Sequence, residues 1–123
     1  MDALSKIFDD IHLNKSEYLY LKTQGEWAFH CGAQDALVTH IILMGSATFY
    51  ITDGTQVEAQ AGDIVLIPSG KAHHVSNDRQ SKLIDSMSID HLFNGHLNDA
   101  IEFGSGSNEH ALIFTVRSHI DMH

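Results

Sequence analysis

Residues 62–77, GDIVLIPSGKAHHVSN, constrain the fold more than any other part of this chain. Gly62 follows Ala61 where a tight turn is needed, and Ile64, Val65, Leu66 and Ile67 form a short apolar run rich in β-branched side chains. Pro68 ends such a strand, because its ring removes the N–H that the next ladder bond would use. Gly70 is free to adopt positive φ and lets the chain double back, so that His73 opens a second strand with its ring available to an interior. Strand, reversal, strand is the repeating unit of a small antiparallel barrel.

Composition agrees. At 123 residues and 43% hydrophobic, the chain has one domain's worth of sequence, enough to bury a core without disulfide staples. Nine glycines, a single proline and many short Val, Ile, Thr, Phe and Tyr runs favour an all-β barrel or sandwich over a helical bundle. Seven basic against sixteen acidic side chains give a net charge of −9, which opposes direct nucleic-acid contact, since phosphate binding rests on Lys and Arg. Cys31 stands alone, so no intramolecular disulfide forms. Neither a basic leader followed by an apolar stretch nor an 18-residue apolar run is present, and a cytoplasmic protein without membrane contact is expected.

Along the chain, Leu4, Ile7, Phe8 and Ile11 recur at helical spacing after a capping Asp2, which predicts a short helix over residues 1–12. A barrel is expected over residues 17–117. Its strands are read at 17–22 and 26–30, joined by a turn at Gly25, then at 36–44, 46–52, 55–60, 64–67, from His73 onward, 82–89 and 110–117. Asp53-Gly54 suits a two-residue type I′ hairpin between the fourth and fifth of these. Residues 90–108 read as a polar connection. No internal repeat or interdomain linker interrupts residues 1–123, so they form one domain.

The spacing of Gly62, Pro68, Gly70, His73 and Asn77 resembles the second motif of the cupin superfamily. The opening MDALSKIF, the Glu26-Trp27 pair, HIILMGSATFYI and then GDIVLIPSGKAHHVS, in this order, are similar to the amino-terminal cupin of AraC-type transcription regulators. The resemblance implies a cupin-type antiparallel β-barrel, the double-stranded β-helix or jelly roll, that senses a small-molecule effector and pairs as a homodimer. It also implies a DNA-binding region of helix-turn-helix units, which lies outside these 123 residues.

Catalytic cupins, by the same resemblance, take two histidines and a glutamate from a first motif and one histidine from the second. His73 is the second-motif position. Counting back from Gly45 puts the glutamate position on Val38 and the two histidines near residues 31–34, so three of the four ligands are missing. Period-2 alternation carries His40 onto the inward face that Val38 marks, and His30 shares that side if its strand is unbroken. A divalent metal (Zn, Ni, Fe or Mn) on His40 and His73, with His30 or Cys31 as third ligand, is therefore a candidate. The plainer alternative is that both histidines are buried neutral rings hydrogen-bonded inside the barrel. Phe29, His40, Phe49 and His73 are the candidate ligand pocket, beside Trp27 and Ile51. His74 alternates outward, and His91, His96, His110, His119 and His123 read as surface residues. Two functions follow. One is a non-catalytic sensing module for a small molecule, a redox state or a metal. The other is a metal-dependent isomerase or dioxygenase that uses His40 and His73.

Overall fold

The computed structural model describes residues 16–68, 71–77, 86–93 and 100–119. The expected helix over residues 1–12, the turn residue Gly70, and His96 and His123 lie outside the described residues.

Among the described residues ten strands form two five-stranded sheets. β1 (Ser16–Glu26), β3 (Ala36–Met44), β6 (Ile64–Ile67), β9 (Ile101–Phe103) and β10 (Ser105–His119) make the first, in the order β6-β3-β10-β1-β9. β2 (Ala28–Cys31), β4 (Ser46–Ile51), β5 (Gln56–Gln60), β7 (His73–Ser76) and β8 (Met87–Ser88) make the second, in the order β5-β4-β7-β2-β8. A single 3-10 turn, Asp90–Leu92, follows β8, and no α-helix occurs among the described residues. The pairing is antiparallel except for β1 with β9 and β2 with β8. The two inner faces meet as a jelly-roll core.

Alternation explains the core. Leu19 and Leu21 on β1, Val38 and Ile42 on β3, Val65 and Ile67 on β6 and Ile113 on β10 meet Phe29, Phe49 and Val75 of the second sheet. Residues on one strand are two apart, or four where His40 lies between Val38 and Ile42, so each strand delivers one row inward. The intervening residues of the first sheet form a separate outer cluster of Ile41, Phe114 and Val116, with Tyr18 and Tyr20 packed against it.

Several boundaries differ from the sequence reading. Gly25 is not a hairpin turn between two paired strands. It sits inside β1 at φ +61°, where the register with β10 shifts between Gln24 and Glu26, and β1 and β2 belong to different sheets. The reason is a close backbone approach: a Cβ on Gly25 would lie 1.9 Å from the Ser105 carbonyl oxygen. The β4–β5 connection is also not a two-residue type I′ turn. Gly54 N–H donates to Ile51 C=O at 2.9 Å and Ile51 N–H to Thr55 C=O at 2.9 Å, with Gly54 at φ +95°. That pattern is a three-residue loop closed by a glycine bulge, which Asp53 tightens by accepting the Thr55 N–H at 2.9 Å. Finally, residues 90–108 are no simple loop. They contain the 3-10 turn, β9 and the start of β10, whose short runs are too polar for alternation to stand out.

Candidate functional site

Three strands bring the site together. Cys31 and His73 lie directly opposite each other on β2 and β7 of the second sheet. His40 comes from β3 of the first sheet, directly opposite Thr115 of β10 and Val65 of β6. All five side chains are buried, His40 and Thr115 completely. His40 Nε2 and His73 Nε2 are 2.8 Å apart, so one ring donates its N–H to the other's lone pair. His40 Nδ1 is 2.8 Å from Thr115 Oγ1. Phe29 and Phe49 wall this pair, with ring centroids 5.7 and 5.2 Å from that of His40.

Electrostatics favour neutral rings. Burial, reinforced by the neighbouring His73, drives His40 well below the usual imidazole range. Burial lowers His73 to about 4, although the Lys71 backbone and the Asp90 charge partly oppose it. Among the described residues His73 Nδ1 has no hydrogen-bond partner. Burial pushes the Cys31 thiol far above its usual range, helped by Asp90 and opposed by Arg117. Unassisted, Cys31 is a protonated thiol rather than a nucleophile.

A second shell holds the Cys31 end. Both Asp90 carboxylate oxygens accept the Gly32 N–H, at 3.0 and 3.3 Å. The Arg117 guanidinium donates to the Asp90 carbonyl (3.2 Å), to Gln34 Oε1 (3.1 Å) and to both Glu17 carboxylate oxygens (2.9 and 3.2 Å), and lies 4.3 Å from the Phe93 ring centroid. Asn77 closes β2 against β7: its side-chain oxygen accepts the Trp27 N–H at 3.1 Å and its own N–H reaches Trp27 C=O at 3.3 Å. The asparagine of the motif thus replaces a ladder bond where the strands part.

His40, His73, Phe29 and Phe49 converge as the candidate pocket residues. His30 does not join them. Phe29 and Cys31 point inward, so alternation turns His30 to the outer face, where its Nδ1 shares a 2.5 Å hydrogen bond with Ser86 Oγ. Of the two residues the sequence left open as third partner, Cys31 lies beside the pair. The Sγ of Cys31 and one nitrogen each from His40 and His73 lie within 4.8 Å of one another. His74 faces outward as expected but is half-buried against Tyr50 rather than exposed. His91, His110 and His119 are exposed. Thr115, Asp90 and Arg117 did not stand out in the sequence. A hydroxyl at inward spacing after Ala111 and Ile113 was the one available signal for Thr115.

A jelly-roll barrel with its polar side chains gathered inside, on the histidine of a Gly-Pro-Gly-His-Asn segment, is the architecture of cupins. The cupin family model matches residues 2–121, and the chain belongs to that family. Over all 123 residues it is 74% identical to the HTH-type transcriptional regulator AlkR of Acinetobacter baylyi, and it spans 40% of that protein's length. Solved structures share the fold at low identity. The cupin domain of Schizosaccharomyces pombe Cnp3 superposes with a TM-score of 0.57 at 8% identity, over 85% of this chain and 56% of that one. A predicted oxalate decarboxylase from Thermotoga maritima gives 0.56 at 15% identity, over 91% and 73%.

Proposed function

We propose that this barrel is the effector-sensing module of an AraC-type transcription regulator, and that its effector acts at the His40–His73 centre. The observation that carries the reading is the buried imidazole pair walled by Phe29 and Phe49 and tied through Thr115 to β10. Buried polar groups cost stability unless paired, and one bond shared by two rings leaves them available to a better partner. An effector that prefers one arrangement of this pair biases β10 and, through it, the rest of the polypeptide. The small-molecule effector and the homodimer belong to this reading. The net charge of −9 keeps direct DNA contact off this domain. No helix among the described residues is long and apolar enough to cross a membrane.

The metal fits only in altered form. Buried Val38 stands at the position the resemblance gives to the glutamate, so the residues present do not match the two-histidine, glutamate, histidine set of catalytic cupins. That weighs for sensing over isomerase or dioxygenase chemistry. In the full-length regulator, His40→Ala and His73→Ala are expected to leave operator binding in gel shifts intact and to remove effector response in a reporter assay. Variants that respond like the parent overturn the reading.

A further inference from the structure

We infer that Cys31, His40 and His73 form a three-coordinate site for a thiophilic closed-shell cation, Cu(I) ahead of Zn(II), which joins the two sheets of the barrel. The inference rests on the reading of the His40–His73 pair as the ligand-holding centre, and adds the sulfur and the class of ion.

Geometry comes first. The three donor atoms lie within 4.8 Å of one another, two from facing positions on β2 and β7 and one from across the core on β3. Both Nε2 atoms already face one point, where a single proton now bridges them at 2.8 Å. A cation there needs a lone pair from each ring, so the accepting ring keeps its proton on Nδ1 and the donating ring's proton shifts from Nε2 to Nδ1. The surroundings allow that tautomer. Thr115 Oγ1, 2.8 Å from His40 Nδ1, accepts as readily as it donates, and His73 Nδ1, which has no hydrogen-bond partner among the described residues, has no donor aimed at it that would exclude a proton. The Thr115 contact is the kind of outer partner that orients a metal-binding histidine.

The donor set then selects the ion. One sulfur and two imidazole nitrogens, without a carboxylate, suit soft closed-shell ions and not manganese or ferrous iron. No fourth His, Cys, Asp or Glu among the described residues offers an atom to this group, and Asp90 spends both oxygens on the Gly32 N–H. Zinc favours four ligands, whereas Cu(I) is content with three. Charge points the same way. Coordination releases the Cys31 proton to solvent and forms the S–metal bond, so thiolate plus Cu(I) sums to zero, while a divalent ion leaves a net positive charge beside Phe29 and Phe49.

The test is anaerobic titration of the reduced chain with Cu(I) buffered by the chromophoric chelator bicinchoninate, and separately with Zn(II) against a zinc dye. One Cu(I) per chain is expected to leave the chelator, with X-ray absorption showing one sulfur and two nitrogen neighbours. Cys31→Ser, checked for folding by circular dichroism, should lose this binding, and Thr115→Val should weaken it about 10- to 100-fold. A folded parent chain that takes no copper, a Cys31→Ser chain that binds as the parent does, or a preference for zinc overturns the inference. These readouts do not involve transcription. Copper binding that holds in a regulator whose His40 and His73 variants still respond to effector would instead sink the sensing reading.

Discussion

His40 and His73 carry opposite obligations, since each must stay neutral in the core and each can take a proton once the chain unfolds. Folding depresses both pKa values below the ordinary 6.5, His73 to about 4, so the unfolded chain binds more protons in acid. The stability these rings permit is therefore complete above pH 6.5 and falls as pH drops towards 4. The slope is about 1.4 kcal/mol per pH unit for each ring that titrates only on unfolding. Urea unfolding between pH 7 and 4.5 should show this loss, and His73→Asn should flatten the slope by about one proton. Thr115 makes a sharper case. Thr115→Val keeps the shape and strips His40 Nδ1 of its partner, so a loss of about 1–3 kcal/mol is expected in denaturant titration.

At the scale of elements, the glycines at the β1–β10 crossing matter more than those at hairpin tips. A Cβ on Gly104, at φ +111°, would meet the Gln24 carbonyl oxygen at 2.1 Å, whereas one on Gly54, at φ +95°, would meet nothing within 4 Å. Gly54→Ala pays only for the backbone conformation, about 1 kcal/mol, while Gly104→Ala must also push two strands apart. Thermal unfolding should rank Gly104→Ala well below Gly54→Ala. Equal midpoints would mean that the crossing relaxes at no cost.

For the whole molecule, Arg117 links segments that are distant in sequence. It ties the start of β1 through Glu17, the β2–β3 loop through Gln34 and the 3-10 turn through the Asp90 carbonyl. Its side chain is only 13% exposed, so this is not an ordinary surface ion pair. Burial alone would raise Glu17, but hydrogen bonds from Arg117 and His119 outweigh it and hold the carboxyl below its ordinary value. Arg117→Ala should cost about 1–3 kcal/mol, because it leaves the half-buried Glu17 carboxylate with His119 alone and strips the Asp90 carbonyl of its arginine donor. Asp90 holds Gly32 beside Cys31, so the same variant should also speed alkylation of a thiol that is now 1% exposed. Unchanged thiol reactivity would show that the turn keeps its place without the arginine.

The sequence by itself determined the barrel and half of its centre. Strands β3 and β6 were legible to the residue and β7 at its first residue, because a long apolar run, a β-branched run ended by proline, and a glycine-to-histidine spacing are local signals. Alternation on β3 also put His40 inside. Only the tertiary structure decided which residues meet it. Between His30 and Cys31, both open in the sequence, the fold placed Cys31 inside, because the direction a side chain takes depends on where β2 begins, and Trp27 between β1 and β2 resets that phase. Thr115 faces His40 through a register across 75 residues, and Arg117 reaches Glu17 across 100. Neither pairing leaves a mark in local composition, because it depends on which strands the fold sets side by side.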